Sequence, residues 1–279
     1  MKIAILSGKG GTGKTTISVN LFSSLKKATL IDTDVEEPNS HLFLKGKTYH
    51  EEIVYKKYPV VDHDICNLCG KCGDFCNFNA IIPAKKKVLV FDDLCHDCGG
   101  CKLVCPTNAI SYADKAIGSI YYQSIEENKQ FLYGKLSVGE ISGVRIIEDL
   151  KNLTKKEEVL LIDSPPGTSC STVSAIEGSD YCIIAAEPTP FGLSDMKMVV
   201  ELLREEKMNF GVVVNKSNLG NNDIYEYLEK EKIELLESIE FREEFAKIIA
   251  RGELLVNHSD YVKDKMSNII KKVLGDTYA

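Results

Sequence analysis

Two groups of residues in this chain are spaced for chemistry. The first is Gly8-Lys9-Gly10-Gly11-Thr12-Gly13-Lys14-Thr15-Thr16, which follows the apolar run Ile3–Leu6 and opens a helical pattern over 14–27. It fits GxxxxGK[ST] in a strand–loop–helix context, the arrangement that cradles phosphate. The glycines let successive backbone N–H groups turn toward one anion, and the helix start adds the positive end of its dipole. Lys14 is then placed to reach the outer phosphates, and the Thr15 hydroxyl to ligate Mg2+. The second group is Cys66, Cys69, Cys72 and Cys76, repeated as Cys95, Cys98, Cys101 and Cys105. Three thiolates within seven residues wrap one face of a metal–sulfur cube, whereas zinc sites commonly join two distant pairs. Two such runs therefore point to two 4Fe–4S clusters.

These groups need elements to hold them. Short aliphatic runs at Ile3–Leu6, Ala28–Asp32, Val159–Asp163, Tyr181–Ala186, Phe210–Val214 and Ile233–Ser238 read as strands buried on both faces. Helical patterns lie between them at 14–27, 143–153, 192–207, 221–231 and 242–250. The alternation predicts an α/β fold with a doubly wound, mostly parallel sheet. Residues 113–142, with Tyr121, Tyr122, Phe131 and Tyr133, read as irregular strands returning the chain to that sheet. The cysteine runs form an internal repeat of 29 residues, in which Asp64 matches Asp93 and Asn79-Ala80-Ile81 matches Asn108-Ala109-Ile110. Two copies of one unit too small to bury a core alone predict a small α+β domain over 58–112, inserted after the second strand. Residues 1–57 and 113–279 then form the larger, discontinuous domain. The stretch 259–274 places Val262, Met266, Ile269, Ile270 and Val273 on one face, which predicts a final helix docked on that domain.

The lysine directly after the first glycine adds information. With Lys9, the loop resembles the deviant Walker A P-loop ATPases: MinD, ParA, the nitrogenase iron protein and the Mrp iron–sulfur carriers. The resemblance implies ATP and ADP as ligands with Mg2+, and a homodimer that sandwiches ATP, with Lys9 crossing to the partner's phosphates. Leu30-Ile31-Asp32-Thr33-Asp34 is similar to the family's next motif, which gives Asp34 the role of orienting water near the γ-phosphate. Leu160-Leu161-Ile162-Asp163-Ser164-Pro165-Pro166-Gly167 is similar to the Walker B strand running into switch II, with Asp163 behind Mg2+. Asn215 takes the place of the adenine-reading asparagine, and Pro188, in Glu187-Pro188-Thr189-Pro190, that of the segment flanking the base. The resemblance covers about 1–45 and 113–255. The residues alone also allow Lys9 to be a solvated loop lysine and Asn215 a strand-end turn residue.

Residues 58–112 resemble a bacterial two-cluster ferredoxin, in which the fourth cysteine of each run ligates the other cluster. The resemblance assigns Cys66, Cys69, Cys72 and Cys105 to one cluster and Cys95, Cys98, Cys101 and Cys76 to the other. Asn77 stands where the second run has Pro106, a departure from the pattern. Two cysteines remain. Cys182 lies in an apolar strand and reads as a core residue. Cys170, seven residues after Asp163, matches the spacing of a subunit-bridging cluster ligand in the nitrogenase iron protein. The second ligand of that cluster has no counterpart here, so Cys170 is expected to be a loop thiol.

Lys and Arg total 34 against 41 Asp and Glu, a net charge of −7. That balance counts against non-specific nucleic-acid binding, which needs clustered positive charge. The N-terminal MKIAILSGKG has the form of neither a signal nor a transit peptide, and no run approaches the roughly 20 apolar residues of a membrane span. A cytoplasmic protein with metal-ligating cysteines is expected. Three functions fit: ATP-gated electron transfer to a redox or metalloenzyme partner, ATP-dependent delivery of clusters or metal of the Mrp type, and MinD-like positioning with redox-sensing clusters. Two full ligand sets favour the first, the absent CPxC pair counts against the second, and the acidic charge against DNA or membrane positioning.

Overall fold

A computed structural model describes residues 1–278. In chain order its strands are β1 (Lys2–Leu6), β2 (Ala28–Asp32), β3 (Lys47–Val61), β4 (Ile81–Pro83), β5 (Val88–Val90), β6 (Ile110–Glu126), β7 (Lys129–Leu136), β8 (Leu160–Asp163), β9 (Tyr181–Ala186), β10 (Phe210–Asn215) and β11 (Glu234–Ile239). The helices are α1 (Lys14–Ser24), α2 (Lys71–Phe75), α3 (Gly100–Leu103), α4 (Val144–Leu153), α5 (Cys170–Ile176), α6 (Pro190–Glu205), α7 (Asp223–Lys230), α8 (Glu243–Ala250) and α9 (Asp260–Leu274). Two compact units result. The first comprises Met1–Glu52, Ile120–Lys135 and the chain from Ile146 onward; the second comprises Ile53–Ser119 and Leu136–Arg145. The second unit contains all of 58–112 and adds 53–57, 113–119 and 136–145.

The apolar runs become a parallel sheet because they are hydrophobic on both faces. Strand order is β11-β10-β9-β1-β8-β2-β7-β6-β3. β1 pairs in parallel with β8 and β9, β10 with β9 and β11, and β2 with β7 and β8. All residues of β8 and β2 are buried. Register sets Asp32 directly beside Asp163, and Ile5 beside Asp163 on the other side. Two carboxylates thus end adjacent strands where the β1 loop begins, at the carboxyl edge where open α/β sheets bind ligands. Phe22 of α1 and Phe131 of β7 are fully buried in the core.

α9 docks as its stripe predicts: Val262, Met266, Ile269 and Ile270 are buried in the same core, and Val273 is half-buried. The Ser259 hydroxyl accepts the Val262 N–H and caps this helix.

Two expectations change. Residues 113–142 hold two long regular strands, β6 and β7, rather than irregular ones. β3 was not foreseen, because its first seven residues are exposed on both faces and carry no apolar alternation. The chain enters the second unit inside β3.

In the second unit the sequence repeat is visible in the backbone. Leu68 and Asp97, Gly70 and Gly99, and Asn79 and Asn108 are pairs 29 residues apart, and all six have left-handed φ values between 53° and 84°. α2 and α3 are the matching one-turn helices. β4 and β5 form an antiparallel hairpin, and Ile81, Val88, Cys101 and Ile110 make a small core.

Candidate nucleotide site and cysteine cavities

The loop between β1 and α1 needs glycine for torsion and for space. Gly11 and Gly13 sit at φ 83° and 93°. A Cβ on Gly13 would lie 2.2 Å from the Asn215 amide nitrogen, and one on Gly8 2.3 Å from the Asp195 carbonyl oxygen of α6. Gly13 starts α1 with no side-chain cap, which leaves the first-turn N–H groups open to an anion. Gly10, Gly11, Gly13, Lys14, Thr15, Thr16 and Asp34 line one cavity of about 400 Å3. Thr12 is buried nearby, its hydroxyl without a hydrogen-bond partner among the described residues.

Beneath this cavity lies a charged cluster. Lys14 Nζ is 2.8 Å from Asp163 Oδ1, and both residues are buried. The Ser18 hydroxyl donates to the same oxygen at 2.9 Å, and the Ser40 hydroxyl to Asp163 Oδ2 at 3.1 Å. Asp32 accepts backbone N–H groups of Asp34, Asn39 and Ser40 at 2.9–3.0 Å. Burial and the neighbouring Asp163 push the Asp32 carboxyl up to about 7, against the pull of Lys14 and the amides. Burial raises Asp34 to about 6. Burial would depress the Lys14 ammonium, but Asp163, Asp32 and Asp34 outweigh it and hold its pKa above the ordinary value. One ammonium thus sits in the field of three carboxyls, a surplus of acidic groups that a divalent cation would balance, although the three do not converge to hold one by themselves.

Sequence reasoning named Asp34 and Asp163 but gave no role to Asp32, Ser18 or Ser40. Ser18 could have been found, since it lies one turn after Lys14 on the same helix face. Ser40 could not, because only the folded loop brings it to Asp163.

The other singled-out residues lie around the loop. Lys9 Nζ is 3.8 Å from Asp195 Oδ2, with both side chains part-exposed. Asn215 and Pro188 are off the cavity lining. The Asn215 amide donates to the Thr12 carbonyl at 2.8 Å, and Lys216 Nζ reaches the Gly11 carbonyl at 3.1 Å and Glu187. The Pro188 carbonyl accepts the Asn221 N–H. A second cavity, about 320 Å3, lies between Asp34–Glu37 and the segment Pro165–Ser171. Cys170 is exposed at the start of α5; Cys182 is buried, which pushes its thiol up to about 12.

In the second unit the eight cysteines line two cavities, four in each. Cys76, Cys95, Cys98 and Cys101 surround one of about 210 Å3. Cys66, Cys69, Cys72 and Cys105 surround a smaller one of about 20 Å3. All eight are free thiols, and Cys69 and Cys98, one per cavity, are exposed. Among the described residues no three His, Cys, Asp or Glu side chains converge closely enough to hold a single metal ion. Burial raises the Cys72 and Cys95 thiols. It acts the same way on Cys105, but the Thr107 hydroxyl and local backbone amides outweigh it and hold that thiol below the usual range.

An uncharacterized protein of Methanocaldococcus jannaschii is 35% identical over 279 residues, covering 98% of this chain and 96% of the relative. An iron–sulfur cluster carrier protein of Pyrococcus furiosus is 23% identical over 302 residues, covering 99% of this chain and 88% of the relative. The structure of the septum site-determining protein MinD of Pyrococcus horikoshii, complexed with Mg-ADP, aligns with a TM-score of 0.61 at 20% identity, covering 98% of this chain and 95% of that one. The family profile named CobQ/CobB/MinD/ParA nucleotide binding domain matches residues 3–256, and with that match the chain belongs to this nucleotide-binding family.

Proposed function

We propose that this protein binds and hydrolyses ATP as a homodimer, and that the cycle controls electron transfer through two 4Fe–4S clusters to a metalloenzyme partner. The observation that carries this reading is the four-and-four division of the cysteines in a chain with an intact phosphate loop. Zinc bonds of about 2.3 Å would draw four sulfurs to within about 4 Å of one another, and no such convergence exists among the described residues. Four thiols spread around a cavity suit the wider span of a cube. Cys76, Cys95, Cys98 and Cys101 would hold one cluster, and Cys66, Cys69, Cys72 and Cys105 would hold the other. Such clusters supply one-electron carriage.

In this reading Lys14 turns from Asp163 to the outer phosphates; Thr15 and Asp163 would hold Mg2+, which would supply the positive charge that Asp163 then lacks. Asp34, part-buried with its carboxyl near neutrality, orients the attacking water. Loss of the Lys14 contact disturbs Asp163, and through the Ser40 hydroxyl the loop suspended from Asp32. Phosphate chemistry can thereby move residues 33–40 and the facing segment 165–171. Lys9 completes a site across the dimer.

A second reading, delivery of clusters to other proteins, is favoured by the similarity to a cluster carrier and by the exposure of Cys69 and Cys98. Both readings place the protein in the cytoplasm; among the described residues no helix is long and apolar enough to cross a membrane. The test of ATP control is the rate at which an iron chelator strips the anaerobic protein. Mg-ATP is expected to change that rate several-fold in the wild type and not in Lys14→Ala. An ATP-independent rate in both would remove the coupling. Cluster transfer to an apo-ferredoxin would select the second reading.

A further inference from the structure

This inference rests on the two-cluster reading above. The 29-residue repeat makes each cavity wall the counterpart of the other: Pro59, Ala80 and Ile81 of the larger cavity correspond to Val88, Ala109 and Ile110 of the smaller. At two further corresponding positions the chemistry differs. Where the smaller cavity has Asn67 and Thr107, the larger has His96 and Phe78.

Each substitution changes what faces the sulfurs. Phe78 and His96 stack with ring centroids 3.7 Å apart and planes 17° apart, closing one wall of the larger cavity with aromatic surface. In that cavity the Tyr112 hydroxyl lies 3.4 Å from Cys101 Sγ, and Cys95 Sγ faces the Lys57 carbonyl at 3.7 Å. In the smaller cavity the Ala109 N–H donates to Cys105 Sγ at 3.3 Å, and the Thr107 hydroxyl lies 3.8 Å from the same sulfur. Donors to a ligating sulfur and polar surroundings stabilise the reduced, more negative state of a cluster. An apolar wall and a facing carbonyl oxygen destabilise it, and the larger cavity sets the Tyr112 hydroxyl against them, whereas two groups converge on Cys105 Sγ in the smaller.

We infer that the two cavities hold centres of unequal reduction potential, that the Cys66/Cys69/Cys72/Cys105 centre is the higher, and that the pairs Asn67/His96 and Thr107/Phe78 set the difference. The first electron entering the chain rests on the higher centre, and the second must be driven onto the lower. Each centre takes one electron from the reductant, its core charge falling from +2 to +1, with no bond made or broken.

The test is a potentiometric titration of the full anaerobic chain with dithionite and mediators, followed by electron paramagnetic resonance. Two one-electron waves are expected, separated by at least tenfold in the electron-sharing constant, about 59 mV. The double variant His96→Asn, Phe78→Thr should raise only the lower wave, and Asn67→His, Thr107→Phe should lower only the upper. A single two-electron wave, or a larger-cavity variant that shifts the upper wave, overturns the inference. Where a double variant fails to load, His96→Asn alone and the wild-type separation decide. Iron and sulfide measured on the same samples distinguish the failures: incomplete wild-type loading removes the two-cluster reading itself, whereas full loading with one wave removes only this inference.

Discussion

Lys14 and Lys9 sit at opposite ends of one loop and meet different partners. Lys14 is enclosed with Asp163, so its removal leaves buried carboxyls facing one another. Lys9 is part-exposed, and its 3.8 Å pairing with Asp195 is of the kind worth only about 0–1 kcal/mol. A partner's phosphate can displace that contact. Lys9→Ala is therefore predicted to keep ATP binding but lose ATP-dependent dimerisation and most hydrolysis, while Lys14→Ala loses ATP binding. Nucleotide titration, sedimentation and phosphate release measure this; a monomeric Lys9→Ala with wild-type turnover contradicts the in-trans role. The carboxyls make a second prediction. Asp32 has a folded-state pKa of about 7 against about 3.9 in an unfolded chain, so between those values the folded state binds the extra proton. Stability without nucleotide must then fall as pH rises from 5 to 7, and level off above. Asp32→Asn should flatten that slope in thermal melts, and an unchanged slope would show that Asp32 is ordinarily ionised.

At the scale of elements, the sequence was most legible where one physical signal dominated. β8 and β2 are buried on every residue and read directly as strands. β3 was illegible because an exposed strand carries no burial pattern, and its neighbour in the sheet, β6, begins 49 residues after β3 ends. The phosphate loop could be read from local spacing alone. The partners of Asp163 could not, since Ser40 reaches it only through a loop that Asp32 organises. The contrast between Asn67/Thr107 and His96/Phe78 lies in the repeat itself, yet it acquires meaning only when the two cavities assign each residue to a wall. α9 illustrates a pattern read correctly from its apolar stripe. Ile269 is 1% exposed, so Ile269→Ala should cost about 2–5 kcal/mol. A lower denaturation midpoint with nucleotide affinity retained is expected; no change in midpoint would mean that the stripe does not bear on the core.

At the scale of the whole molecule, the phosphate-loop cavity and the two cysteine-lined cavities lie in two compact units of one chain. The nucleotide-binding family membership stands on the match over residues 3–256. The claim that reaches furthest is that the second unit carries two clusters, each held by three cysteines of one run and the fourth of the other. Anaerobic iron and acid-labile sulfide analysis tests it most directly, in the wild type, Cys76→Ser and Cys105→Ser. About eight iron and eight sulfide per wild-type chain are expected. Cys76→Ser should disturb the cluster of Cys95, Cys98 and Cys101, and Cys105→Ser that of Cys66, Cys69 and Cys72. Zinc without sulfide, or a Cys76→Ser protein that loses only the Cys66/Cys69/Cys72 cluster, would contradict it.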